Sequence, residues 1–437
     1  MFRSRWFPPR LPRLRGGMAA VAAAGSVALA VTAGVVLSGT PRSATPAAPG
    51  VLQSYAVAPT QAWTLDDSVL PGVGGGGAIT VAATDGDDWL IAYPAGIRRE
   101  YLLIDARNGS PRWDRPVDAG FGACAINERH QVGCAIRLRI DGPENGFYLV
   151  DRSNGELTRT SDGDDTAALL GFGDGFVHVN QTGYQVSLRT PDGATRWSRT
   201  FAAAATATDA GGALLVSTAD DTHHVIDPAD GTDRLSCSQC TVDVYPGGLA
   251  VTSTRIDHES VAFHPFTAGG VSRTPVGTAS RMRVVRGPST LPVLAPAGTG
   301  SALDAAGRYE IVDPATGRTR WRLDDPELSK ASPRPCGPVL SVARKDRSRV
   351  FFDLADGTRR GESPPPALDD PDANLDSATC LGASDEVAVF ANPNQLTAVG
   401  VDSGRQVWSQ PLLGSAESVD GTIVLRQGST LTALRPD

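Results

Sequence analysis

An eleven-residue signature returns along this chain and limits its possible folds more than any other feature. Two apolar residues precede an aspartate, a glycine follows four positions later, and a tryptophan often stands four positions after the glycine. Complete copies run from Leu103 to Trp113 and from Ile311 to Trp321. The signature positions of all the copies are Asp105, Gly109, Trp113, Asp151, Gly155, Gly193, Trp197, Asp227, Gly231, Asp313, Gly317, Trp321, Asp353, Gly357, Gly404 and Trp408. Such a repeat predicts a fold built from similar units.

The glycines of the signature give the length of each unit. They fall at positions 109, 155, 193, 231, 317, 357 and 404, so most intervals are about 40 residues. The interval from 231 to 317 is about twice as long, which indicates one hidden copy. The degenerate candidate runs from Ala262 to Gly270.

Each interval contains short alternating segments that are typical of strands. Residues 214–217 and 224–227, for example, flank the turn residues Asp220 and Asp221. Aspartate and glycine favour tight turns because they supply a side-chain hydrogen bond and a positive φ. About four strands per unit of this length predict an all-β propeller of four-stranded blades. We expect eight blades, with seven or nine also possible, because a strict count gives nine units of which two are weak.

The two ends of the predicted propeller each supply part of one unit. The chain finishes with the strand 431–435, and residues 62–65, which include Trp63, form a strand that begins where a turn should end. We therefore expect the first strand to pair with the last blade. Closing the ring in this way removes exposed sheet edges.

The composition predicts a folded acidic protein. Of the 437 residues, 41% are hydrophobic and 20% charged, and the formal net charge is −8. A nucleic-acid-binding protein would carry a basic face, so the charge argues against that class. Nearly all the basic residues are arginine, which indicates a GC-rich bacterial genome.

The N-terminus predicts a membrane anchor. Residues 1–17 are basic, and 18–37 form an uncharged run that is long enough to span a bilayer as a helix. The arginines should stay in the cytoplasm and place the rest of the chain outside it. Residues 38–60 form a linker rich in proline, alanine and serine, and 61–437 form the propeller. The small residues after 37 also permit cleavage, but the length of the apolar run favours a retained anchor.

All six cysteines lie in the exported part, and their even number predicts disulfides. Proximity favours Cys124 with Cys134, Cys237 with Cys240, and Cys336 with Cys380. The closely spaced pair Cys237 and Cys240 is also compatible with a redox or zinc motif. We prefer a disulfide because the chain has no second such pair and the surroundings are typical of a strand.

The signature resembles that of the quinoprotein alcohol dehydrogenase-like propellers, which carry pyrroloquinoline quinone (PQQ)-type repeats. The resemblance covers about 63–437 and is best in the two complete copies. It implies that the repeat tryptophans, including Trp63, dock on the neighbouring blade as packing residues. The enzymes among these proteins have two adjacent cysteines against the quinone and a Ca²⁺ ion held by glutamate, asparagine and aspartate.

This chain has no adjacent cysteine pair, so the resemblance implies a non-catalytic member without a cofactor. A PQQ- and Ca²⁺-dependent dehydrogenase of alcohols or sugars is the alternative. Asp370, Asp372, Asn374 and Asp376 alternate as Ca²⁺ ligands often do, but leucine stands where an EF-hand needs glycine. We interpret this run, and the acidic runs 85–88 and 162–165, as solvated loops.

These observations together predict a cell-envelope protein with one membrane span and an extracytoplasmic propeller. Its expected role is to bind unidentified envelope proteins as a non-enzymatic scaffold. A sensor of an envelope ligand is a further alternative. A known propeller lipoprotein of outer-membrane β-barrel assembly binds protein partners on the same kind of fold, although this chain has no cysteine for a lipid anchor near its apolar run.

Overall fold

The computed structural model describes residues 48–66, 68–71, 77–137, 143–254, 259–297, 307–328, 333–344, 348–365 and 378–436. These residues form strands, with one short 3₁₀ turn at Pro326–Leu328. None of the helical structure among them is long and apolar enough to cross a membrane. The predicted anchor, residues 18–37, lies outside the described residues.

The strands form nine antiparallel sheets, which we call blades 1 to 9 in chain order. The first strand of the chain, β1 (Thr60–Leu65), belongs to the last blade. Blade 1 contains β2 (Thr80–Asp85), β3 (Asp88–Ala95), β4 (Arg98–Asp105) and β5 (Val117–Gly120). Blade 2 contains β6 (Ala123–Ile126), β7 (Val132–Ile136), β8 (Gly146–Val150) and β9 (Leu157–Asp162), and blade 3 contains β10 (Thr166–Phe172), β11 (Gly175–Asn180), β12 (Gln185–Arg189) and β13 (Thr195–Thr200).

Blade 4 contains β14 (Ala205–Asp209), β15 (Leu214–Thr218), β16 (Thr222–Ile226) and β17 (Asp233–Ser238). Blade 5 contains β18 (Cys240–Tyr245), β19 (Gly248–Ser253), β20 (Ser260–Thr267), β21 (Gly270–Val271) and β22 (Gly277–Ser280). Blade 6 contains β23 (Met282–Val284), β24 (Val293–Pro296), β25 (Arg308–Asp313) and β26 (Arg318–Asp324). Blade 7 contains β27 (Arg334–Cys336), β28 (Val339–Ala343), β29 (Arg349–Asp353) and β30 (Arg359–Ser363). Blade 8 contains β31 (Thr379–Ala383), β32 (Val387–Asn392), β33 (Gln395–Gly400) and β34 (Gln406–Pro411), and blade 9 contains β35 (Ser415–Val419), β36 (Thr422–Gln427), β37 (Thr430–Arg435) and β1.

The propeller fold is therefore confirmed, and the described residues contain nine blades rather than the favoured eight. The degenerate copy between positions 231 and 317 belongs to a complete blade, blade 5. There Phe266 pairs with Val271 in a small hairpin, and the outer strand β22 pairs separately with β20. A blade needs paired strands and not the signature, so a unit that has lost its aspartate and tryptophan still forms a sheet.

Each blade places its first strand innermost and its fourth strand outermost. The inner strands of neighbouring blades contact each other, as β6 does β10 and β27 does β31. Outer strands such as β13 and β26 are mostly exposed. Apolar side chains from facing sheets fill the space between blades, and the largest such cluster joins blades 9, 1 and 2.

The alternating strand directions divide the loops between two faces of the ring. The turn face carries the turns between first and second strands and between third and fourth strands; there Ala106 N donates to Asp87 O at 2.7 Å. The connector face carries the turns between second and third strands and the connections from blade to blade. On that face Leu412 N donates to Asn394 O at 2.7 Å.

The ring closes in blade 9, where β1 pairs with β37 from Thr60↔Arg435 to Leu65↔Leu431. Before β1, residues 48–56 cross the turn face; we call this segment the strap. Leu52 N donates to Ala383 O at 2.9 Å, and Gln53 N donates to Gly421 O at 3.0 Å. The split unit at the two chain ends thus completes one blade, as the sequence predicts.

Candidate functional site

The signature aspartates build the turns between the third and fourth strands. In the first copy, Asp105 O accepts a hydrogen bond from Gly109 N at 2.8 Å, and Asp105 Oδ1 accepts one from Arg107 N at 2.9 Å. The side-chain hydrogen bond from Arg107 also holds the pKa of Asp105 below its ordinary value. The same two backbone interactions recur in the turns that begin at Asp151, Asp227, Asp313 and Asp353. These carboxylates stabilise the turns that contain them.

Each signature tryptophan joins the blade that carries it to the element that follows around the ring. Trp113 Nε1 donates to Arg152 O at 3.0 Å, and Arg152 directly follows the signature aspartate of blade 2. Equivalent bonds run from Trp63 to Ala106 O, from Trp197 to Pro228 O and from Trp321 to Leu354 O. The indole therefore buries its ring at the blade interface and satisfies its only donor there.

The signature glycines permit close approach of these indole rings. A Cβ atom on Gly109 would lie 2.8 Å from the ring of Trp63, and the same close contact occurs between Gly155 and Trp113, Gly231 and Trp197, and Gly357 and Trp321. Where the preceding blade lacks the tryptophan, the glycine packs on smaller groups: Gly193 on Ser161, Gly317 on Gly277, and Gly404 on Glu362. The positive φ of each glycine is a second reason for the residue type.

Adding a methyl group beneath an indole should destabilise the ring more than the same change in an open turn. Gly357→Ala places Cβ 2.7 Å from Trp321 at φ +80°, whereas Gly96→Ala, at φ +66°, meets nothing within 4 Å. Both variants should lose about 1–2 kcal/mol because alanine is strained at a positive φ. Gly357→Ala should lose about 1–3 kcal/mol more through overpacking. Urea unfolding measures the difference, and equal losses would contradict the role assigned to Gly357.

An ion-pair network on the turn face corrects the interpretation of 85–88 as a solvated loop. The side chain of Asp85 is only 5% exposed, lies 2.7 Å from His130 Nδ1, and contacts the guanidinium of Arg152. Arg152 also contacts Asp88, and Arg112 Nε donates to Asp88 Oδ1 at 3.1 Å. The partners come from blades 1 and 2, so the carboxylates link blades. Arg152, which directly follows the signature aspartate of blade 2, is the residue in the sequence that could have indicated these ion pairs.

A second acidic run, 162–165, also contains a buried carboxylate. Asp164 is fully buried between blades 2 and 3, and its Oδ1 accepts a hydrogen bond from Thr166 N at 2.9 Å. His178 Nδ1 and Arg189 Nη1 each lie 3.4 Å from Asp164 Oδ2. Burial opposes ionisation, but the hydrogen bond and charge of His178, with Thr166 and Arg189, lower the pKa of Asp164 to about 2. Burial also lowers the pKa of His178.

Both shifts make stability fall in acid. Asp164 has a folded pKa below its unfolded value, so its contribution is present above about pH 4 and is lost as the pH falls toward 2. The lowered pKa of His178 likewise favours the unfolded chain below about pH 6.5, where the unfolded chain binds the proton more readily.

Replacing Asp164 should therefore cost most near neutral pH. Asp164→Asn should lower the free energy of unfolding by about 1–3 kcal/mol at pH 7, because it removes the charged acceptor of the buried Thr166 and His178 hydrogen bonds and the partner of the partly buried Arg189. The difference in unfolding free energy between the variant and the unmodified chain should decrease as the pH falls toward 2. Asp162→Asn, at a side chain that is 85% exposed, is the control and should change little. Denaturation at a series of pH values measures this difference in unfolding free energy. A difference that does not change with pH would show that the Asp164 carboxylate does not have this role.

The cysteines form three disulfides in the pairings that proximity favoured: Cys124–Cys134, Cys237–Cys240 and Cys336–Cys380. The first lies within blade 2, and the last joins the inner strands of blades 7 and 8. None joins adjacent cysteines, so these residues do not fit the quinone contact of the PQQ enzymes.

Within the described ranges no group of three or more histidine, cysteine, aspartate or glutamate side chains is placed to hold a metal ion. The calcium candidates Asp370, Asp372, Asn374 and Asp376 lie outside those ranges. Their interpretation as a solvated loop stays a prediction.

The closed ring of four-stranded blades, the signature turns and the docked tryptophans define a β-propeller whose repeats resemble those of the PQQ-repeat proteins. A family model described as outer membrane protein assembly factor BamB matches residues 277–434, which span the outer strand of blade 5 and blades 6 to 9. No curated protein sequence matches the chain at a significant level.

Two solved structures are similar to this chain at low sequence identity. BamB from Moraxella catarrhalis is 14% identical with a TM-score of 0.43, over 87% of this chain and 98% of that chain. The computationally designed Ika8 protein is 12% identical with a TM-score of 0.44, over 86% of this chain and 99% of that chain. At these values neither structure adds an argument about function.

Proposed function

We propose that this chain is a membrane-tethered, extracytoplasmic scaffold that binds envelope proteins and carries out no catalysis itself. The observation that carries the proposal is the path of the strap. Because residues 48–56 cross the turn face, a tether that precedes them holds the ring from that side. The connector face is left uncovered for partners.

The contacts of the strap support this orientation. Gly50 O accepts a hydrogen bond from Ala383 N at 2.7 Å, and a Cβ on Gly50 would lie 2.7 Å from Pro288. These contacts place residue 50 on the turn face beside blades 6 to 8. The ten residues 38–47 reach at most about 35 Å when extended, so the predicted anchor would keep this face toward the bilayer.

The internal use of the signature residues also supports a scaffold. The aspartates bond to their own turns and the tryptophans to the next blade, so the repeat supplies a rigid ring with loops on two faces. Rigid rings that present loops are a common way to bind other proteins. The description of the matching family model, an assembly factor, is in keeping with this role.

Photo-crosslinking in the native cell tests for protein partners. Benzoylphenylalanine replaces Ile97 on the connector face, Ala355 on the turn face or Val407 on an outer strand in the full chain. We expect discrete adducts of higher mass from the connector face and none from Val407. If no position on either face gives a discrete adduct, the scaffold proposal is wrong.

The tether is tested by the N-terminus of the mature protein. We expect the protein to stay in the membrane fraction after a carbonate wash, with residues 18–37 present by mass spectrometry. A soluble protein whose sequence starts after residue 37 would contradict the tether. The crosslinking result would still decide whether the protein is a scaffold.

A further inference from the structure

We propose that the connector face, over blades 9, 1, 2 and 3, is a docking surface for a basic segment of a partner protein that carries apolar anchor side chains. The inference rests on the proposed function and names the surface and the partner chemistry. We call this part of the connector face the docking arc. It consists of the segments 68–71, 95–99, 118–122, 143–146, 162–166, 181–184 and 412–415 with Asp66, Arg137 and Arg159.

The first observation is where large apolar side chains are exposed. Among the described residues, eight valine, isoleucine, leucine, phenylalanine and tyrosine side chains are well exposed. Five of them lie in the docking arc: Val69, Ile97, Phe121, Tyr184 and Leu413, of which Ile97 is 83% and Leu413 66% exposed. The other three are Val57, which precedes β1, and Val276 and Val407 at the outer circumference. Exposed apolar groups gathered on one face mark interaction sites.

The second observation is that Ile97 and Phe121 are neighbours and that backbone hydrogen bonds hold Phe121 and Tyr184 in place. Strands β4 and β5 pair with Arg99 opposite Gly120, so Ile97 and Phe121 leave the same edge of blade 1 on adjacent strands. Phe121 N donates to Arg137 O at 3.1 Å, and Arg137 Nη2 donates back to Phe121 O at 3.1 Å. Tyr184 O accepts a hydrogen bond from Phe201 N at 2.8 Å. Anchors on a rigid backbone lose little conformational freedom when a partner binds.

The third observation is the charge between the apolar groups. The described charged residues of the docking arc are six carboxylates and four arginines: Asp66, Asp118, Glu144, Asp162, Asp164 and Asp165 against Arg98, Arg99, Arg137 and Arg159. Asp118, Asp164 and Arg137 are buried, and the exposed carboxylates are Glu144, Asp162 and Asp165. Glu144 and Asp162 have side chains that are 81% and 85% exposed, whereas their common partner Arg159 is 34% exposed.

Two of the arginines that are not buried, Arg98 and Arg159, are paired with carboxylates. Arg98 lies 2.6 Å from the buried carboxylate of Asp118, and Arg159 lies 2.7 Å from Glu144. The surface that a partner meets is therefore apolar and negative. The complementary partner is a segment with alternating apolar and basic side chains, which would bury the apolar anchors and place its cations beside the carboxylates.

The path of the strap favours a protein over a lipid surface as the partner of the docking arc. The tether leaves from the turn face, so the docking arc points away from the membrane that holds it. A negative surface is also repelled by anionic headgroups. A protein in the envelope is the occupant that satisfies both conditions.

The test uses the full chain in phosphatidylcholine nanodiscs and two fluorescent twelve-residue peptides, one of alternating leucine and lysine and one of alternating leucine and glutamate. Fluorescence anisotropy should show saturable binding of the leucine–lysine peptide, weaker at 300 mM than at 50 mM salt. The leucine–glutamate peptide should not bind. The double variant Ile97→Ser, Leu413→Ser should weaken binding at least tenfold, and Glu144→Gln with Asp165→Asn should remove most of the salt dependence.

Val276→Ser with Val407→Ser is the matched control, since it removes two exposed apolar groups outside the docking arc. It should bind as the unmodified chain does, and thermal unfolding should be the same for all variants because the changed side chains are exposed. Equal loss in the control, equal binding of both peptides, or no binding of the leucine–lysine peptide would overturn the proposal. If any of these outcomes occurs while crosslinking gives discrete adducts from the turn face, the docking arc is wrong but the scaffold proposal holds, with its binding surface on the turn face.

Discussion

The hydrogen bond from an indole N–H to a backbone carbonyl of the next blade is the interaction on which this ring depends. It fixes the distance between two sheets whose remaining contacts are non-directional apolar packing. It also explains the rest of the signature. The acceptor carbonyl is presented by the turn that the aspartate builds, and the ring of the tryptophan fits only because the residue beneath it is glycine. The tryptophan of one copy and the aspartate and glycine of the next copy thus form one joint between two blades.

The sequence was sufficient to predict the class of fold, because the signature records local turn geometry and the strands between copies alternate in the usual way. It was less informative about the number of blades. Blade 5 keeps its sheet without the aspartate and tryptophan, since strand pairing and inter-blade packing tolerate the loss of the indole contact on both of its sides. The signature indicates the contact between two blades and not the sheet of a blade, so a blade can form where the signature is absent.

The acidic runs show where sequence patterns fail for electrostatic groups. Asp85 and Asp164 stand in runs that are typical of solvated loops, yet both side chains are buried. Their partners, Arg152 and His178 among them, are brought close by blade packing. A sequence window contains the carboxylate and not the distant cation, so burial of such a residue follows from the tertiary structure alone. The exposed apolar residues of the docking arc are similar: each looks ordinary in its own segment, and only the ring places them on one face.

The joint between blades 8 and 9 has a consequence for the order in which the molecule can be completed. Trp408 Nε1 donates to Tyr55 O at 2.7 Å, and the hydroxyl of Tyr55 donates to Leu434 O at 3.0 Å, so the strap replaces the turn that other blades make for themselves. These partners are separated by more than 350 positions in the chain. During synthesis the segment that closes the ring appears first and must remain unpaired until the last strand has been made. Contacts of such long range form slowly, and the open sheets meanwhile expose edges that aggregate.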